Sequence, residues 1–137
     1  MKIVSACLAG VKCRWDGTSR PCPTVVEWVR NGEAIPVCPE QLGGLPTPRE
    51  PAEQRGQGVF TKSGKDVSLE FSRGAEEGLR IAQLAACKEA VLKARSPSCG
   101  VGLVYDGTFS GKLVAGDGVF AGLLKRNGIS VRSEEGL

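Results

Sequence analysis

Short apolar runs alternate with longer stretches of helical periodicity along this chain. "KIVSACL" (residues 2–8) is apolar and β-branched at its start, and it predicts a buried strand ending near Cys7. "AIPVCPE" (34–40) predicts a second strand, ending at Cys38. "EAVLKARS" (89–96) predicts a third, running into Ser96, and "GISVRS" (128–133) a fourth. Between the first two, Pro23 precedes "TVVEWVRNG", a short helix stopped by Asn31-Gly32. Between the second and third, "DVSLEFSRGAEEGLRIAQLAACK" (66–88) repeats Phe71, Ala75, Leu79, Ala82 and Ala86 at helical spacing, with Asp66 or Ser68 to cap its start. This helix is expected to carry Cys87 near its end. A last helix, "DGVFAGLLKRNG" (117–128), precedes the fourth strand and again stops at Asn-Gly.

Strand and helix thus alternate. That order predicts a single α/β domain over 1–137, with a small, mostly parallel, Rossmann-like sheet flanked by helices. Residues 41–65, rich in Pro and Gly, break the rhythm and read as a long loop of functional interest. Within it "GVFTKSGKDV" suggests a small hairpin turning at Ser63-Gly64, and "YDGTFSGKLVAGDG" (105–118) is a second glycine-rich excursion.

Composition narrows the chemistry. The 137 residues are 41% hydrophobic and 24% charged, with a net charge of +3. That charge is too small to argue for nucleic acid. No apolar run approaches a membrane span and no secretory leader is visible, so a cytoplasmic protein is expected. There is no histidine, which excludes Ser–His and Cys–His nucleophile pairs and any His-containing zinc site.

There are six cysteines, at positions 7, 13, 22, 38, 87 and 99. Cys7, Cys38 and Cys99 each fall at or just past the C-terminal end of a predicted strand. In a parallel sheet those ends share one edge, outside which ligands bind. Cys13, six residues after Cys7, can join them. The alternatives are small buried hydrophobes, a structural zinc site, or an iron–sulfur cluster bound by thiolates from separate strand ends. The spacings match neither zinc CxxC pairs nor ferredoxin runs. Cys87 fits the buried reading, and Cys22 fits either. Near these thiols stand Glu40, two residues after Cys38, and Ser96, three before Cys99. A carboxylate and a hydroxyl there are what proton transfer requires. Asp16 reads as a turn residue before Gly17. Arg14, Arg49, Lys93 and Arg95 are of a type ordinarily solvated, although an anionic cluster or substrate would draw some of them to the site. Gly100, just after Cys99, reads as leaving space around that sulfur.

The segments "CLAGVKCRWDG", "PVCPEQLGGLPTPREPAE", "KARSPSCG", "YDGTFSGKL" and "GDGVFAGLLKRNGI" resemble those of the thiouracil desulfidase family of small bacterial proteins, from the first strand to the last. The resemblance implies a 4Fe–4S cluster held by three cysteines, with one iron not ligated by protein and free for the substrate's sulfur. Its ligands would be Cys7, Cys38 and Cys99, with Cys13 a possible replacement or a spare thiol. Glu40 and Ser96 would be the catalytic pair. The implied reaction is non-redox conversion of a thiolated pyrimidine, as base or nucleotide, to its oxo form with release of hydrogen sulfide. Two other functions remain open: a metal-binding interaction module closed by a fourth ligand, and a sulfur carrier holding a persulfide on Cys13 or Cys99. The implied partner is thus a small molecule, with neither nucleic acid nor membrane expected.

Overall fold

The structure, a computed structural model, describes residues 1–137. Its centre is a four-stranded sheet in the order β2-β1-β5-β8, formed by β1 (Lys2–Ser5), β2 (Ala34–Val37), β5 (Glu89–Leu92) and β8 (Ser130–Ser133), with every neighbouring pair parallel. The α/β parallel architecture expected from the alternation is therefore present. The two inner strands are the most apolar: Ile3, Val4, Ala90, Val91 and Leu92 are almost wholly buried. The edges are marked in sequence as well. β2 carries Pro36, which lacks the N–H that an inner strand would use. β8 alternates exposed Ser130 and Arg132 with partly buried partners.

Alternation along β1 divides the core in two. Ile3 packs on one face with Ala75, Ala82, Phe120, Ala121 and Leu124 from α3 (Ser68–Leu84) and α4 (Val119–Arg126). Val4 packs on the other face with Val25 of α1 (Pro23–Arg30) and with Leu8. Each large apolar side chain so buried contributes about 1.5–3 kcal/mol. Helices on both faces leave only the strand ends open.

Four local differences from the sequence reading matter for the site. β1 stops at Ser5, and Cys7 lies in a 3₁₀ turn, Ala6–Ala9, that caps the strand. β5 stops at Leu92, and Lys93–Gly100 runs on as an irregular loop. Residues 41–65 are not one loop: α2 (Pro39–Leu42) reaches into their start, and β3 (Ala52–Arg55) and β4 (Gly58–Thr61) form an antiparallel hairpin around Gly56-Gln57. The expected small hairpin turning at Ser63-Gly64 is present as well: Gly64 N–H closes the turn on Thr61 O, and the chain returns along β4 with Thr61 N–H to Lys65 O and an antiparallel Phe60–Asp66 bridge. Cys87 falls in the segment after α3, leading into β5. The second excursion folds as an antiparallel pair, β6 (Leu103–Tyr105) with β7 (Leu113–Ala115).

α2 is set by close contact with α3. A Cβ on Gly74 would collide with Pro39 O, and one on Gly43 would collide with Glu70 O. The glycines thus let the backbone of the short helix rest directly on the long one.

Candidate functional site

From β1 the chain crosses to β2 on one side of the sheet; from β5 it crosses to β8 on the other. The inner strands β1 and β5 therefore diverge in connectivity at their C-terminal ends, which opens a crevice of the kind that receives ligands in open α/β sheets. Ser5, the last residue of β1, bridges its floor: its buried Oγ accepts from Lys93 N–H at 2.9 Å.

A cavity of about 280 Å³ occupies this crevice. Cys7, Cys13, Cys38 and Cys99 all line it, with Glu40, Ser96 and Ser98. Each comes from a different element: Cys7 from the turn after β1, Cys13 from the next loop, Cys38 from the N-cap of α2, and Cys99 from the loop after β5. Pro39 at the first helical position ends β2 and starts α2 at Cys38, while Glu40 follows within the first turn. Cys87 lies at the opposite end of the sheet, buried among α3 and α4 side chains, and Cys22 packs outside the cavity beside α1. Asp16 is exposed and accepts from Thr18 N–H and Oγ at 3.1 and 2.6 Å, a local turn that holds its carboxyl below the usual range.

The thiols differ electrostatically. Burial pushes Cys99 up to about 12 and Cys7 up to about 11, the latter eased by the charges of Arg14 and Lys93. Cys38 Sγ approaches Cys13 O at 3.8 Å, which brings the two thiols together. Their interaction raises Cys13 and, with help from Gln41 N–H, draws Cys38 below the ordinary thiol value.

Glu40 is held on both oxygens. Arg49 Nε donates to Oε1 at 3.0 Å, and Ser98 Oγ donates to Oε2 at 3.0 Å. The Arg49 side chain is only 6% exposed, and its other nitrogens reach Cys13 O (2.8 Å), Pro46 O (3.1 Å) and Thr47 Oγ1 (2.9 Å). It is thus the reverse of the solvated arginine expected from its type. One guanidinium ties the "CPE" helix to the loop carrying Cys13 and to the "GGLPTPR" segment.

The loop "SPSCG" is braced from within and from outside. Ser96 Oγ accepts from Cys99 N–H at 3.0 Å and Ser98 N–H at 3.2 Å, and it lies 3.0 Å from Ser98 Oγ. Ser96 and Glu40 are therefore linked through Ser98. Gln54 of β3 donates to Pro97 O (2.9 Å) and Asp117 O (3.0 Å). A Cβ on Gly100 would meet Ser96 O at 2.7 Å and Val104 Cγ1 at 2.9 Å, so that glycine serves the folding of the loop on itself rather than space around the sulfur. Glu53 Oε1 likewise accepts from Gly107 and Phe109 N–H, fixing the β6–β7 connection near the rim.

Sequence reading missed Ser98, Gln54 and Glu53. The only available signal for Ser98 was its place in the same motif as Ser96; which of the two faces Glu40 depends on the turn geometry.

The donor set suits a cofactor larger than one ion. No three of its Cys, Asp or Glu side chains lie close enough to chelate a single metal, yet four thiols line one cavity. Of the basic residues lining it, Lys93 pairs with Glu134 and Arg95 with Glu135, whereas Arg14 Nε is buried with no hydrogen-bond partner. An iron–sulfur cluster bound by thiolates is anionic and carries acceptor sulfides, so these residues fit it. Trp15 and Tyr105 add aromatic surface to the lining.

Comparison with known proteins agrees. The family model for 2-thiouracil desulfurase matches residues 3–136. The chain is 42% identical, over 147 aligned residues that span all of it and 97% of the relative, to the uncharacterized protein YbbK of Bacillus subtilis (strain 168). It is also similar to the solved structure of the [4Fe-4S]-dependent thiouracil desulfidase TudS, with a TM-score of 0.94 and 47% identity, covering 98% of this chain and 91% of that one. With the match running from the first strand to the last residues, this chain belongs to the 2-thiouracil desulfurase family of enzymes.

Proposed function

We propose that the protein desulfurises a thiolated pyrimidine, thiouracil or a thiouridine nucleotide, to the oxo base with release of hydrogen sulfide, using a 4Fe–4S cluster held by Cys7, Cys38 and Cys99. The observation that carries this reading is the shared cavity at the β1/β5 switch point, where thiols from three strand ends meet a partly buried carboxylate and an orphaned cationic donor. When bound, such a cluster with one iron free of protein ligands supplies a soft Lewis acid that polarises a C=S bond. Glu40 takes a proton from water, which then attacks the ring carbon. Arg49 keeps the carboxylate aimed at the cavity. Ser96 contributes a hydroxyl on the same hydrogen-bonded chain. The aromatic surface of Trp15 and Tyr105 receives the planar ring. Cys13, beside Cys38 on the cavity wall, stays outside the ligand set as a spare thiol.

The alternatives draw less support. A closed structural site needs four ligands gathered on one ion, and the thiols instead spread over the cavity wall. A persulfide carrier needs an activated thiol, and both Cys13 and Cys99 are shifted away from activation.

The test is turnover of 2-thiouracil by protein purified without oxygen, following uracil by chromatography and sulfide colorimetrically. The two products should appear together over many turnovers. Protein carrying iron and labile sulfide that leaves both 2-thiouracil and 4-thiouridine monophosphate unchanged would rule the reading out.

A further inference from the structure

The contacts around Glu40 assign a direction to the hydrogen bonds of the "SPSCG" loop. An ionised carboxylate only accepts, so at 3.0 Å from Glu40 Oε2 it is the Ser98 hydroxyl that donates. Ser98 has a single hydroxyl hydrogen, and the charged Glu40 oxygen at 3.0 Å takes it in preference to Cys99 Sγ at 3.7 Å. The 3.0 Å contact with Ser96 must then run the other way, with Ser96 donating to Ser98 Oγ. Ser96 is free to do so because two backbone amides occupy its acceptor side. The result is an oriented chain, Ser96 to Ser98 to Glu40. Ser98 is 2% exposed, so no solvent competes for its hydroxyl. Arg49 on Oε1 leaves the carboxylate no rotational freedom.

We propose that Ser98 is the positioning residue of the Glu40 base: its hydroxyl, held in turn by Ser96, fixes Glu40 Oε2 in the cavity. This rests on the desulfidase reading above. In the step, an O–H bond of the attacking water breaks and its proton joins Glu40 on a carboxylate lone pair that Ser98 and Arg49 leave open. The oxygen keeps the electron pair and forms the new bond to carbon. No electron leaves or enters, and Glu40 is reset when it releases its proton to the departing sulfur.

The experiment compares wild type, Ser98→Ala, Ser98→Thr, Glu40→Gln and the double variant Ser98→Ala/Glu40→Gln, all purified anaerobically. Iron and labile sulfide per chain and the melting temperature are recorded beside kcat and KM for 2-thiouracil. Ser98→Ala should keep its iron and its melting temperature within a few degrees, lose about 10–10²-fold in kcat and change KM by less than about twofold. Ser98→Thr, which keeps the hydroxyl, should recover most of the loss. Because Ser98 acts through Glu40, the double variant should be no slower than Glu40→Gln alone. Wild-type kcat in Ser98→Ala, loss of its iron, or a double variant slower by the full product of the single effects would each overturn the proposal. An iron-loaded wild type that releases no sulfide would instead overturn the desulfidase reading beneath it.

Discussion

At the scale of single residues, the site depends on one group that its motifs do not advertise. Arg49 looks like a surface arginine between two prolines, yet its side chain is 6% exposed and it donates to four acceptors. Removing one partner of such a buried pair leaves the other charge uncompensated. Arg49→Ala is expected to destabilise the protein by about 3–5 kcal/mol, read as a lower urea midpoint, and Arg49→Lys should recover little because an ammonium lacks the planar fork. The thiols carry a pH signature of their own. In cluster-free protein, Cys38, which the Cys13 thiol and Gln41 N–H draw below the ordinary thiol value, should be alkylated by iodoacetamide at lower pH than Cys7 or Cys99. Cys7 and Cys99 should stay inert until pH approaches about 11 and 12. The sign follows from the thiolate being the nucleophile: a lowered pKa fills it earlier as pH rises, a raised one later. Mass spectrometry of the labelled cysteines checks the order, and early labelling of Cys99 would contradict it.

At the scale of elements, the regular strands and long helices were legible and the short pieces were not. β1, β2 and β5 announce themselves as apolar runs, β8 as a short alternating one, and α3 as a periodic stripe, since burial fixes these patterns. α2 is a single turn, too short for any periodicity to register; only Cys38-Pro39 before it and Gly43 after it hinted at a start and stop. β3 reads "AEQR", with no apolar alternation, because its side chains brace loops instead of filling a core: Gln54 holds Pro97 and Asp117, and Glu53 holds residues 107 and 109. The contact of α2 with α3 gives this scale its prediction. Gly74→Ala would push a methyl into Pro39 O, forcing the helix that carries Glu40 away from the cavity. It is expected to cost about 1–3 kcal/mol by urea denaturation and to lower turnover more than stability accounts for. A Gly74→Ala variant with wild-type stability and turnover would mean that α2 does not depend on this contact.

At the scale of the whole molecule, the convergence of Cys7, Cys38 and Cys99 follows from parallel topology, and that much could be read from strand order in the sequence. Which strands would lie at the centre was only hinted at, because local pattern does not specify pairing; Pro36 marks β2 as an edge, and the polar alternation of β8 marks the other. The placement of Cys87 at the opposite end of the sheet follows from the same topology, since it precedes β5 while Cys99 follows it. No helix is long and apolar enough to cross a membrane. The central claim is that three thiolates from three strand ends hold the cluster and leave one iron open, with Cys13 and Cys87 outside the ligand set. Iron and acid-labile sulfide per chain, measured on anaerobically purified single Cys→Ala variants, tests it most directly. Cys7→Ala, Cys38→Ala and Cys99→Ala should each lose most of both elements, whereas Cys13→Ala and Cys87→Ala should keep the wild-type content. Loss of the cluster in Cys13→Ala as complete as in Cys7→Ala would make a fourth protein ligand of Cys13, close the site to substrate sulfur, and contradict the account.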